Sequence, residues 1–382
     1  MNRDRYSMQR AIPFPVAALL STILVSLLLG ADVGEHAGLF PHSISVSDFN
    51  KDGSPDVAVP ASAERKAVIL LSSGRGGFLS NHSYAVGQGP TWIETADVDG
   101  DGYLDFVTTN TGGGSLTVYF GDGRGGFARR QDIEGIHGPV SVVAGDFNRD
   151  GNPDLAVALA GKSEVVILLN RGQGKLQVAR SYRVGRGAHI LSKTDLNGDG
   201  RVDLVVGSLG SHTLSVLLGN GDGTFRTPVA VPVGRFPHYQ AFGDFNGDRH
   251  IDVAVTVAGE DAVEVLLGDG TGRLEKKARY EVGLNPHGLA TADFNGDGHL
   301  DLVVGNRSSM DLHILIGDGK GAFSVRHAIK TGEDIIAVAV ADFDRDRQVD
   351  LALVSATSHR VILLKGNGRG DFEPFSSAKG AQ

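Results

Sequence analysis

The chain of 382 residues contains no cysteine, which excludes a disulfide scaffold, a thiolate metal site and a cysteine nucleophile. It also lacks a basic surplus. Thirty-six Lys and Arg stand against 45 Asp and Glu, a net charge of −9, so general affinity for nucleic acid is disfavoured. Charged residues make up only 21% of the chain and hydrophobic ones 41%, a balance that argues against disorder. No nucleophile elbow G-x-S-x-G, phosphate-binding P-loop, dinucleotide fingerprint or H-E-x-x-H occurs. Glycine is plentiful instead: 54 residues, roughly twice the usual share. They keep no three-residue period, which excludes collagen, and they point to many turns.

Residues 1–31 stand apart. Arg3, Arg5 and Arg10 precede an apolar run from Val16 to Leu29, followed by the small residues Gly30 and Ala31. A basic start, a short apolar stretch and a small-residue end form the layout of a secretory signal. The run is 14 residues, or 19 counted from Ala11, against about 20 needed to span a bilayer. Two readings follow: a signal cleaved near Ala31, or an N-terminal anchor through residues 11–29. Both export the rest of the chain to a secreted, periplasmic or cell-surface location.

Beyond the leader the sequence is periodic. DFNKDGSPD begins at Asp48, and its relatives begin at Asp97, Asp146, Asp195, Asp244, Asp293 and Asp342, every interval being 49 residues. A Gly-rich signature ending at Phe78, Phe127, Leu176, Phe225, Leu274, Phe323 and Phe372 keeps the same step. The seven copies fill residues 38–382 and leave no room for a second domain. Within the sixth copy, residues 287–292, 300–305, 311–317 and 323–330 read as four short strands. The second and third are apolar runs suited to burial on both faces. The fourth alternates and carries Lys and Arg, which protect an exposed edge. Before each acidic loop stands a small residue: Ser47, Ala96, Gly145, Thr194, Gly243, Ala292 and Ala341. Crowding around a central axis explains that column. The reading is an all-β fold, a seven-bladed β-propeller with four antiparallel strands per blade. The phase of the repeat suggests that the ring closes by packing blade 7 on blade 1, with strand exchange through residues 32–38 as the alternative.

The acidic loops follow D-x-[ND]-x-D-G-x-x-D. Position 1 is Asp48, Asp97, Asp146, Asp195, Asp244, Asp293 and Asp342. Position 3 is Asn50, Asp99, Asn148, Asn197, Asn246, Asn295 and Asp344. Position 5 is Asp52, Asp101, Asp150, Asp199, Asp248, Asp297 and Asp346. Position 9 is Asp56, Asp105, Asp154, Asp203, Asp252, Asp301 and Asp350. Backbone carbonyls at position 7 face the same point, from Ser54, Tyr103, Asn152, Arg201, His250, His299 and Gln348. The spacing parallels the first half of an EF-hand loop, and an all-oxygen donor set selects a hard cation, Ca²⁺ before Mg²⁺. Asx-rich turns alone would also use Asp, Asn and Gly, but they do not require four such positions to recur together. The loops hold 23 of the 45 acidic residues, and up to seven structural Ca²⁺ would offset that charge. Sites 5 and 7 have Arg249 and Arg347 where Gly is expected; site 7 compensates with four carboxylates, so site 5 is expected to be weakest.

DFNGDGHLDLVVGN followed by LIGDGKGAF resembles the FG-GAP/VCBS repeat family, whose blades build the integrin α-subunit propeller and many secreted bacterial propellers. The resemblance covers all seven copies. It implies a seven-bladed ring with structural Ca²⁺ between first and second strands, and it leaves function open among adhesion subunits, lectins and modules beside enzymes.

His42, His189, His238 and His287 stand six residues before their acidic loops, where the other copies have Thr91, Val140 and Ile336. The column begins the innermost strand, on the face opposite the acidic loops. It reads either as a structural turn with hydrogen-bonded imidazoles or as a site for ligand, transition metal or acid–base chemistry. Trp92, Tyr239, Glu94 and Lys193 depart from their columns nearby, and Trp92 is the only tryptophan. The whole suggests a calcium-stabilised binding or adhesion module for an extracellular protein or glycan, lectin-like in one version. The alternative is an enzyme such as a polysaccharide lyase working through the His column.

Overall fold

The apolar runs that follow each acidic loop become the second strands of seven four-stranded antiparallel sheets arranged as a β-propeller. The computed structural model describes residues 34–36 and 41–375; the leader, residues 1–31, lies outside them. In the sixth blade the strands are Pro286–Ala292, Asp301–Asn306, Asp311–Gly317 and Phe323–Lys330, within one residue of the sequence reading. Two single 3₁₀ turns, Ser62–Glu64 and Ala258–Glu260, are the only helical pieces among the described residues.

Each second strand is buried along its whole length, as at Asp154–Leu159 and Asp301–Asn306. That is why it carries no polar alternation. Outer strands such as Phe323–Lys330 bury only their first residue fully; His327 and Ile329 are half-buried and the others face solvent. The core is distributed: each of the seven blade interfaces has its own cluster. Phe49, Ile69 and Phe106 sit between blades 1 and 2, and Leu155, Val157 and Leu116 between blades 2 and 3. At the loop end of the inner strands the column of small residues is explained by close approach. A Cβ on Gly243 would lie 2.3 Å from Leu300 Cδ1.

The two sequence signatures interlock between neighbours. Phe49 at loop position 2 packs edge-on against Phe127 of the next blade, centroids 5.5 Å apart, and Phe245 against Phe323 at 5.4 Å. Carbonyls at position 2 accept N–H groups from the next Gly-rich turn, as in Gly223 N–H to Phe147 O (2.9 Å) and Gly321 N–H to Phe245 O (2.8 Å). Gly321 has φ +83°, a left-handed conformation open chiefly to glycine, so this column must stay glycine for the turn to reach its neighbour.

Ring closure departs from the packing-only expectation. The third strand of blade 7, Arg360–Gly366, pairs with two separate pieces along its outer edge. Phe372–Pro374 covers Leu364–Gly366, and Gly34–His36, from the other end of the chain, covers Arg360–Ile362. The fourth strand of the last blade is therefore composite. Three-residue Phe372–Pro374 leaves half an edge of backbone polar groups unpaired, and the N-terminal segment satisfies it. A buried cluster with Val57, Leu70, Val354 and Leu363 joins the same blades, so packing and strand exchange act together.

Candidate functional site

The seven acidic loops share one hydrogen-bond scheme. The position 1 carboxylate accepts the backbone N–H groups of positions 5 and 6, as Asp293 does from Asp297 (3.3 Å) and Gly298 (2.8 Å). Position 5 accepts the N–H of position 7, as Asp297 does from His299 at 2.8 Å. Position 9 has a second role that the motif alone does not reveal. Asp154 accepts Phe147 N–H at 3.0 Å with one oxygen and Asn170 N–H at 2.7 Å with the other. The same pair of bonds recurs in every copy, from Asp56 to Asp350. Each of these carboxylates is fully buried and ties its loop to the third strand.

Burial, then the neighbouring carboxylates, push Asp105 up to about 7 and Asp56, Asp154 and Asp350 up to about 6, against the pull of their backbone hydrogen bonds. A divalent ion beside them would reverse that direction. The donor set fits one: carboxylate oxygens of Asp97, Asp99 and Asp105 lie within 4.8 Å of one another, as do those of Asp342, Asp344 and Asp350. These are also the loops where the chain supplies its own cations. Arg129 binds Asp99, and the Lys365 ammonium binds Asp344 and, at 2.8 Å, Asp346. Site 7 thus carries a competitor for Ca²⁺ that the loop sequence does not show.

Arg249 and Arg347 adopt φ of 70° and 71° yet keep the position 6 bond, at 2.8 Å to Asp244 and Asp342 respectively. Position 4 is left-handed as well: Lys51, Arg149 and Arg345 have φ of 59°, 60° and 65°. There the side chain does something glycine could not. Arg345 reaches from blade 7 into loop 1, donating to Asp52 O (2.5 Å) and Ser54 Oγ (2.6 Å), and Arg149 reaches Gly200 O in loop 4 at 2.7 Å. Arg249 makes no such contact among the described residues. Arg249→Gly should therefore raise stability by about 1 kcal/mol, while Gly298→Arg in site 6 should lower it by a similar amount. A thermal melt in which Arg249→Gly is the less stable protein, with and without calcium, would overturn this.

The second site lies on the opposite face. Inner strands bulge where the His column stands, the register shifting across Pro237/Gln240 around His238 and across Pro286/Leu289 around His287. A bulge re-aims its side chain, and here the column turns toward the axis. All seven positions line one cavity of about 240 Å³: the four histidines together with Thr91, Val140 and Ile336. The bulged carbonyl of His287 is held by the blade before it, through Thr256 Oγ1 (3.1 Å), and the His42 carbonyl accepts Tyr239 Oη–H from across the axis (3.3 Å).

His189, His238 and His287 come from three consecutive blades and form a polar arc. His238 stacks on His287 with centroids 4.0 Å apart and meets His189 edge-on at 5.2 Å. Their imidazoles make no hydrogen bond to the described residues, unlike the structural-turn reading, and His189 Nδ1 is buried without a partner. Burial above all holds His189 and His287 down to about 4 and His238 to about 2, with a further push from His42 on His189, from Arg307 on His287 and from His287 on His238. The three are neutral at pH 7.

Residues that break their columns close the channel. Trp92 and Tyr239, from blades 2 and 5, stack across the axis at 5.8 Å and 29°. Lys193 donates to Glu94 Oε1 at 3.1 Å and to Ala144 O, spanning blades 2 to 4. Trp92 therefore both packs and lines the cavity. Arg307, in the turn after Asp301–Asn306, also lines it. No sequence signal marks Arg307, because its column is otherwise an ordinary turn position.

Five stretches of the chain, residues 48–108, 97–157, 195–255, 244–304 and 293–353, match the FG-GAP-like repeat family. No curated protein matches the sequence at a significant level. Solved structures share the fold at low identity. BBS1N in complex with ARL6DN is 12% identical with a TM-score of 0.62, covering 89% of this chain and 99% of that one. A lectin of Agrocybe aegerita that recognises non-reducing terminal N-acetylglucosamine is 18% identical with a TM-score of 0.54, covering 88% and 89%. A catalytically inactive histidine-to-alanine variant of virginiamycin B lyase from Staphylococcus aureus, solved with quinupristin, is 10% identical with a TM-score of 0.57, covering 86% and 97%. A protein-bound propeller, a lectin and a lyase on one fold leave the choice of function to the site.

Proposed function

This chain belongs to the FG-GAP-like repeat family, and from that premise we propose that it is an exported binding module. Calcium in the acidic loops holds the ring, and the axial cavity on the opposite face takes the ligand. Loops 1, 3, 4 and 6 share asparagine at position 3 and glycine at position 6, and of these loops 3 and 6, whose carboxylates have no ion pair among the described residues, hold the ion best. The ion's contribution is charge neutralisation and rigidity. The observation that carries the binding reading is the cavity itself: one concave site, lined by an aromatic wall and a convergent polar arc, on a rigid scaffold. The basic leader of residues 1–31 supports export, and a secreted or cell-surface location suits a glycan or protein partner.

The test is a glycan array probed with and without calcium. Its best ligand is then measured against Trp92→Ala and the double variant His238→Ala with His287→Ala, each first shown to melt like the parent. Loss of binding of at least tenfold in both is expected. Unaffected binding in both, with loss from changes on the outer strands, would place the site elsewhere. A lyase is the second reading, favoured by the placement of three imidazoles, His189, His238 and His287, together in one cavity where a substrate proton could be reached. Turnover of a polysaccharide that disappears with His287→Ala would decide for it.

A further inference from the structure

We propose that the axial cavity selects a carboxylate carried on a single sugar-sized ring, a uronate-like ligand, and that binding takes up a proton on the histidine arc. This rests on the reading of the cavity as the ligand site. The lining offers hydrogen-bond donors and no carboxylate. The Arg307 guanidinium has one partner among the described residues, Asp334 Oδ2 at 3.9 Å, beyond hydrogen-bond distance; the other oxygen of Asp334 accepts Ser355 Oγ–H and Thr357 N–H at 2.8 Å each. Trp92 Nε1 and His189 Nδ1 are both buried without a hydrogen-bond partner. Glu94, the acid nearest in sequence to Trp92, is occupied by Lys193 and Ala144 N–H. An anion can use Arg307 in the paired geometry that guanidinium offers carboxylates.

A transition metal fits less well. No three ligand atoms of these histidines come within 4.8 Å of one another. His238 and His287 are stacked with their planes 29° apart, so their in-plane lone pairs run side by side rather than converging on one ion. The Trp92–Tyr239 stack supplies an apolar wall for a ring face, and about 240 Å³ accommodates one ring rather than a chain.

Proton uptake follows from the surroundings of the arc. His287 faces Arg307, His189 and His42, which disfavour its charged form, and Asp334, which favours it. His238 faces His287, His189 and Arg307, all disfavouring charge. A bound carboxylate adds a negative charge and raises the imidazole that it touches. Protons are then bound more tightly in the complex than in the free protein, so affinity increases as pH falls from 7 towards 5, by up to about tenfold per unit for one proton.

Isothermal titration of the calcium-loaded full chain with D-glucuronate, D-glucose and acetate, at pH 7.0 and 5.0, tests this. Glucuronate remains ionised at both values, as carboxyl groups of this class titrate below about 4. The expected result is glucuronate binding at least tenfold tighter than glucose or acetate, and at least fivefold tighter at pH 5.0 than at 7.0. Buffers of different ionisation heat should report close to one proton taken up. Arg307→Gln should abolish the preference over glucose, and His287→Gln the pH dependence, with melting temperatures unchanged. Glucose binding as well as glucuronate, lost in Trp92→Ala, overturns the anion inference and leaves the cavity reading intact. Acetate equal to glucuronate overturns the ring. Glucuronate binding indifferent to Trp92→Ala and Arg307→Gln overturns both.

Discussion

Asp154→Ala should cost about 4 kcal/mol of unfolding free energy, whereas Asp150→Ala, four residues away in the same loop, should cost about 1 kcal/mol or less when cations are chelated. The contrast comes from what each carboxylate holds. Asp154 is fully buried and is the acceptor for two buried backbone donors, Phe147 N–H and Asn170 N–H. Truncation leaves both unsatisfied, at about 1–3 kcal/mol each. Asp150 is solvent-exposed and accepts Asn152 N–H at 2.9 Å, a donor that water can serve instead. Asp154→Asn separates charge from geometry: one acceptor survives, and the other becomes an amide N–H facing a backbone N–H. Its cost should fall between the two alanine variants. Denaturant unfolding in excess EDTA measures all three, and equal costs for Asp154→Ala and Asp150→Ala would sink the assignment of position 9 to the fold.

That dual role shows where sequence reasoning reached its limit. A 49-residue period with two signatures is enough to set blade number, strand order and even strand ends, because each copy repeats the same hydrophobic alternation. The acidic positions were legible as a donor set for the same reason. What the repeat could not show are contacts between segments distant in sequence, within a copy or between copies. The partner of Asp154 on the third strand lies 16 residues away, Arg345 meets Asp52 and Ser54 across the closing interface, and Lys365 enters loop 7 from its own third strand. None of these has a local pattern. The composite last strand was foreseeable only as an alternative, since nothing in Gly34–His36 marks it as a strand before the unpaired edge of Arg360–Gly366 is known. The cavity lay between these extremes. Its seven column positions could be aligned from the sequence, but Arg307 belongs to a turn in one blade and could be found only by its approach to the axis.

Chelating divalent cations should lower the melting temperature by at least about 6 °C. Extracellular calcium sites operate at about 10⁻⁴–10⁻³ M. With free calcium tenfold above Kd, one site adds about 1.4 kcal/mol. If only loops 3 and 6 contribute, where glycine stands at position 6 and the described residues form no ion pair with the loop carboxylates, the sum is about 3 kcal/mol; all seven would give about 10 kcal/mol. At about 2–4 °C per kcal/mol for a chain of a few hundred residues, even the smaller sum is large. Loops 1, 2, 4 and 7 are partly neutralised by the protein: Arg345 at Asp52, Arg129 at Asp99, Arg201 at Asp199 and Lys365 at Asp344 and Asp346. Lys365→Met should therefore lower stability in EDTA, where two carboxylates lose their counterion, and widen the difference between calcium and EDTA, because calcium now enters loop 7 without displacing an ammonium. Magnesium should restore less than calcium, since loops of this reach supply six or more oxygens at the longer distances calcium accepts. A melting curve unchanged between calcium and EDTA, in both the parent and Lys365→Met, would mean that the protein's own Arg and Lys side chains neutralise the loops and that calcium has no part in holding the ring.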